Sequence, residues 1–85
     1  MFELLTITKI YDGIQGRHQF PNGYGCSVIR HSGSYGGNRG LFEVAVTDKY
    51  NRIVYDTPVT EDVLGYQTKD DVERIMKQIS ELPPK

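Results

Sequence analysis

The sequence predicts an α+β domain: an antiparallel meander of four to five strands with one C-terminal amphipathic helix packed on one face. Three observations carry this prediction. Short runs of β-branched and aromatic residues are separated by turn dipeptides. The apolar period changes from two to about 3.6 near the C-terminus. A chain of 85 residues can build one core and no more, so the prediction is of a single domain spanning 1–85.

FELLTITKIY (2–11) reads as the first strand, Asp12-Gly13 as the turn that supplies positive φ, and IQGRHQF as the return. Pro21-Asn22-Gly23 is the next turn, since Pro presets φ and Asn-Gly tolerates the left-handed region. YGCSVIRH places Tyr24, Cys26 and Val28 on one face and Ser27 and Ile29 on the other. LFEVAVTD is the clearest strand, with Phe42, Val44 and Val46 alternating against Leu41, Glu43, Ala45 and Thr47. A turn at Asp48–Asn51 leads to RIVYD, a short partner strand stopped by Pro58. TPVTEDVLGY reads as a structured loop, with room for one helical turn, anchored to the core by Val59, Val63, Leu64 and Tyr66. Thr68 is the expected N-cap of a helix over about 69–82, with Asp70 and Asp71 in the first turn. Val72, Ile75, Met76, Ile79 and Leu82 form its apolar stripe, and Pro83-Pro84 ends it.

Composition narrows the function. Hydrophobic residues make up 38% and charged residues 25%, a balance suited to a folded domain. A net charge of −1 fits neither a general DNA binder nor an acidic mimic of DNA. The one cysteine, Cys26, allows no internal disulfide and no cysteine metal cluster, so a reducing, cytoplasmic compartment is expected. MFELLTITKIY lacks the uninterrupted apolar region of a signal peptide, and the chain is expected to be neither exported nor inserted in a membrane. Between Asp12 and Glu43 there is no acid, only Arg17, Arg30, Arg39, His18 and His31, whereas residues 56–85 carry seven acids against four bases. A positive and a negative end are the expectation.

The segment RHSGSYGGNRG (30–40) is the candidate site. Its first reading is a connection whose composition serves mobility. Its functional reading is a contact loop: Arg30, His31, Ser32, Ser34, Tyr35 and Arg39 are the candidate binding residues, and Tyr35 with Arg30 and Arg39 has the composition that interfaces favour. Consecutive glycine N–H groups could also form a concave anion nest with the arginines. The segment is no P-loop, because no Gly-Lys-Ser/Thr triplet opens a helix, and Gly37-Asn-Arg-Gly40 lacks the helices that flank a KH-type GXXG loop. Three arginines are a thin footprint for specific nucleic-acid binding. Cys26, between Tyr24 and Val28 in strand parity, reads as a small buried apolar residue and not as a nucleophile activated by His18 or His31. The two histidines make a poor metal site, and the pairs Glu61-Asp62 and Asp70-Asp71 lack calcium-loop spacing. No catalytic residue, metal or cofactor is expected.

NGYGCSVIRHSGSYGG together with LFEVAVTDKYNRIVYDTPVTEDVLGYQTKDDVERIM resembles a group of small proteins of unassigned function encoded by bacteriophages and prophages. In these an NGYG.S.IR..GSYG stretch precedes a strand and a YDTP.T.DV.GY stretch precedes a terminal helix. The resemblance covers about residues 7–80. It takes in Arg30 and Ser32–Gly36 in one stretch, and Tyr55–Pro58, Asp62, Gly65 and Tyr66 in the other. It implies a phage origin and carries over no catalytic residue. The expectation is a non-enzymatic accessory protein that binds and inhibits a host protein in the bacterial cytoplasm, an anti-defence role among the options. The alternative is a protein that sequesters a nucleotide or another anionic small molecule, with a site that a homodimer could share. A meander also leaves two open sheet edges through which a second chain could pair.

Overall fold

Period-two alternation puts Cys26, Val28, Phe42, Val44 and Val46 on one face of a sheet, and the computed structural model, which describes residues 1–85, buries all five. Five strands form an antiparallel meander in chain order: β1 (Thr6–Ile10), β2 (Gly13–Gln19), β3 (Gly25–Arg30), β4 (Phe42–Thr47) and β5 (Leu64–Gln67). The register pairs Ile7 with Gly16, Gly16 with Val28, and Val28 with Val44. Across the buried face lies α1 (Lys69–Ser80), which inserts Val72, Ile75, Met76 and Ile79. Leu5, Phe20 and Leu82 close the margins of this core. Thr68 caps the helix in a reciprocal box: its hydroxyl accepts from the Asp71 N–H, and the Asp71 carboxylate accepts from the Thr68 N–H.

Several expectations are corrected. Phe2–Leu4 form a short 3-10 turn, so the first strand begins only at Thr6. The first hairpin turns at Tyr11-Asp12, one residue early: Tyr11 takes the left-handed conformation (φ 52°) and Gly13 pairs with Ile10 inside the ladder. Glycine is required at 13 for space, because a Cβ there would overlap the Arg30 carbonyl. RIVYD makes one bridge, Ile53 with Thr47, supported by the Val54 N–H on the Val46 carbonyl, and then leaves the sheet. The fifth strand lies instead in the stretch expected as a loop. Leu64 pairs with Val44 and Gln67 with Phe42, and a bulge takes up the extra residue. The helix stops at Ser80, two residues short of the expected limit, and Leu82 reaches the core from the turn that follows.

One polar residue fastens the far end of the helix. The Asn22 side-chain amide donates to the carbonyls of Ile79 (2.8 Å), Ser80 (3.3 Å) and Leu82 (3.1 Å), while its Oδ1 accepts from the Tyr24 N–H (3.0 Å). It thus satisfies carbonyls that every helix C-terminus leaves open. Asn22→Ala is expected to destabilise by about 1–3 kcal/mol, because the Ser80 and Leu82 carbonyls lose this donor at once and the Ile79 carbonyl keeps the Leu82 N–H. Urea unfolding checks this, and an unchanged midpoint would show that water replaces the amide without cost.

Five carboxylates are held below their ordinary range by donors, Glu3 among them through the Met1 ammonium. Glu73 accepts from the Phe2 N–H and the Met1 ammonium, and Asp71 from the Thr68 N–H and Arg74. Ser32 holds Asp12. Burial works against the ionisation of Asp48, but the N–H groups of Arg52 and Tyr50 and the Arg52 guanidinium outweigh it. Each folded pKa lies below the unfolded value, 3.8 for Asp and 4.5 for Glu. These contributions are therefore complete above about pH 5 and are lost as pH falls through the folded values. Thermal midpoints are expected to be level between about pH 5 and 7 and to fall steeply below about pH 4. A midpoint still level near pH 3 would contradict the linkage.

Candidate functional site

Four elements meet at one end of the sheet: the β1–β2 hairpin tip, the C-terminal end of β3, the N-terminal end of β4 and the β5 bulge. The glycine-rich segment is seated between them and is hydrogen-bonded along its length. The Ser34 hydroxyl accepts from the His31 N–H (3.0 Å) and donates to the His31 carbonyl (2.8 Å). The Gly33 N–H donates to His31 Nδ1. Gly37–Arg39 form a 3-10 turn bounded by left-handed Gly36 (φ 90°) and Gly40 (φ 73°).

Two acids that bracket the acid-free stretch in sequence return to it in space. Asp12 accepts from the Ser32 N–H (2.9 Å) and Glu43 from the Tyr35 N–H (3.0 Å). The expected positive end is diluted accordingly. The anion nest is largely occupied as well: the N–H groups of Ser32, Gly33, Ser34, Tyr35, Gly37, Arg39, Gly40 and Leu41 all have partners within the protein.

Glycine lets the loop sit on β5. A Cβ at Gly65 would lie 2.5 Å from Tyr35 Cβ, and one at Gly36 would lie 2.9 Å from Tyr66 Cα. The Tyr66 N–H, freed from the ladder by the bulge, donates to the Tyr35 carbonyl at 3.1 Å. Between loop and bulge lies a shallow cavity of about 170 Å³, lined by Ser34, Tyr35, Gly36, Asn38, Arg39 and Tyr66. The Arg39 guanidinium stands 6.0 Å from the Tyr66 ring centroid.

Of the candidate residues, Ser34, Tyr35 and Arg39 therefore come together. His31 and Ser32 lie beside them against the hairpin tip, where the His31 ring meets Tyr11 edge-on at 5.2 Å. Arg30 stands apart, its guanidinium 4.9 Å over the ring of Phe42, a core residue. Sequence reasoning missed Tyr11, Asn38 and Tyr66 as site residues. Tyr66, expected to anchor the core, is 57% exposed.

Tyr11 and Tyr66 share an unusual backbone. Both take positive φ, 52° and 58°, and both are exposed. Bulky residues rarely adopt this region, which favours Gly, Asn and Asp. Tyr35, at 61% exposure, completes an aromatic end. Cys26, by contrast, is fully buried opposite His18, and burial pushes its thiol up to about 11, so the thiolate is scarce at neutral pH.

Compared with protein-family models, curated proteins and solved structures, the chain matches none. No helix is long and apolar enough to cross a membrane.

Proposed function

We propose that the chain is a small non-enzymatic binding protein of phage origin that occupies the surface of a host protein in the bacterial cytoplasm. The contact is the aromatic end of the sheet, with Tyr11, Tyr35, Arg39 and Tyr66 at its centre and His31 and Ser32 at its rim. One observation carries the reading: two exposed tyrosines stand where the backbone would be better served by glycine or asparagine. Local backbone strain at a solvent-facing aromatic residue is a feature of functional positions, because exposed contacts such as those with His31 and Arg39 offset little of it. Tyrosine and arginine are also the side chains that dominate binding energy at protein interfaces. A host defence factor is the class of partner that the phage resemblance suggests.

Affinity capture from a bacterial host lysate, comparing the native chain with a Tyr35→Ala/Arg39→Ala variant, tests the reading. A discrete polypeptide retained by the first and lost by the second is expected. Equal retention would overturn the site. Native mass spectrometry of the recovered protein addresses the sequestering alternative at this loop: an added mass of a few hundred daltons, in place of a polypeptide, would overturn the host-protein reading. The internal use of the loop's N–H groups argues for the polypeptide.

A further inference from the structure

Cations gather at the opposite end of the sheet. β3 and β4 run between the two ends, Gly25 pairing with Thr47 at this one and Ile29 with Glu43 at the other, a separation on the order of 15 Å. Here the turn before β3, the turn after β4 and Lys85 surround a cavity of about 300 Å³ lined by Gly23, Asp48, Lys49, Tyr50, Arg52 and Lys85.

Each cation is positioned. Asp48, the one acid of the lining, accepts from the N–H groups of Tyr50 (2.8 Å) and Arg52 (3.0 Å) and from Arg52 Nε (2.9 Å). Arg52 is thereby anchored through Nε alone, and its terminal guanidinium nitrogens have no partner in the protein. Neither Lys49 nor Lys85 is paired with an acid. Lys49 Nζ lies 5.2 Å and the Arg52 guanidinium 5.0 Å from the Tyr50 ring centroid, and Lys85 Nζ lies 5.4 Å from that of Tyr24. The Lys85 N–H donates to the Asn22 carbonyl at 2.9 Å, which fixes the main chain from which its side chain projects. Two free ammonium groups and the open edge of a guanidinium thus line one tyrosine-walled hollow.

We propose that this hollow is a second binding site, for a phosphate monoester. Three cations, one partly neutralised by Asp48, match a dianion better than a single carboxylate, and guanidinium with ammonium is a common phosphate-binding pair. The volume is at the lower end for small-molecule sites, which suits a small organic phosphate. This site is independent of the aromatic end.

A titration of the ¹⁵N-labelled chain with AMP, adenosine and inorganic phosphate, followed by amide chemical shifts at low salt, tests the proposal. Saturable shifts are expected at Gly23, Lys49, Tyr50 and Arg52 with AMP and with inorganic phosphate. Adenosine, which lacks the phosphate, should bind at least about tenfold more weakly than AMP. Lys49→Gln/Lys85→Gln, two surface changes that leave the fold intact, should weaken AMP binding at least about tenfold. Shifts that do not saturate, equal binding of adenosine, unchanged affinity in the double variant, or shifts confined to residues 30–40 would each overturn the assignment.

Discussion

Asparagine in place of Tyr66 is expected to leave the thermal midpoint unchanged or raise it, while weakening capture of the proposed protein partner about thirtyfold or more. The two effects have separate causes. Positive φ costs an ordinary L-residue roughly 1–2 kcal/mol, and asparagine visits this region far more readily than tyrosine. Against that relief stands the stacking of Arg39 on the ring, an exposed contact with about 0.5–1 kcal/mol to lose. The balance is close to zero or favourable, and each kcal/mol corresponds to about 4–8 °C in a domain of this size. Binding, in contrast, loses a central aromatic anchor, and such anchors are worth about 2 kcal/mol or more. Differential scanning calorimetry and the capture assay on the same preparation check both arms. A large drop in midpoint would mean that Tyr66 is structural and refute the strain argument; intact capture would remove it from the contact.

Met76→Ala is expected to destabilise the fold by about 2–5 kcal/mol, the usual cost of emptying a fully buried position. Met76 is entirely enclosed where the helix meets the sheet. Because small domains have only about 5–15 kcal/mol in total, the midpoint should fall by at least about 8 °C. Met76→Leu nearly conserves volume and should cost less than about 1.5 kcal/mol. Equilibrium urea unfolding of the two variants makes the comparison. Equal, small losses would show that the helix is loosely docked.

The core was legible because burial imposes a period. Cys26, Val28, Phe42, Val44 and Val46 stand two apart in strands, and Val72, Ile75, Met76 and Ile79 follow the helical repeat, so residue type alone places them. The fifth strand was not legible for an equally physical reason. RIVYD has the better strand composition, yet β4 has one free edge, and only Ile53 and Val54 reach it before the chain departs toward Pro58. LGYQ, with a glycine and a left-handed tyrosine, takes the remaining edge because its bulge seats it on the loop. The loop's candidate residues were half legible: Ser34, Tyr35 and Arg39 lie in one glycine-rich run, but Arg30 is drawn away by the Phe42 ring. Tyr66 and Tyr11 were hidden because tyrosine does not advertise positive φ as glycine or asparagine does. The cationic end was invisible to a linear reading, since Lys49, Arg52 and Lys85 are brought together only by two turns and the segment that follows the helix.

The clasp of Asn22 on the helix end has a bearing on the order in which the chain assembles. β2 and β3 each join their predecessor through a short connection and β4 follows across the longer segment 31–41, so β1 to β4 close smaller loops than the contacts of the helix end do. Asn22 and its carbonyl partners at residues 79–82 lie at opposite ends of a much longer closed loop, which contains β3, β4, β5 and the whole helix. That contact costs more loop-closure entropy than the strand pairings do. Asn22 is therefore expected to engage the helix end late in folding, and its loss is expected to speed unfolding more than it slows folding.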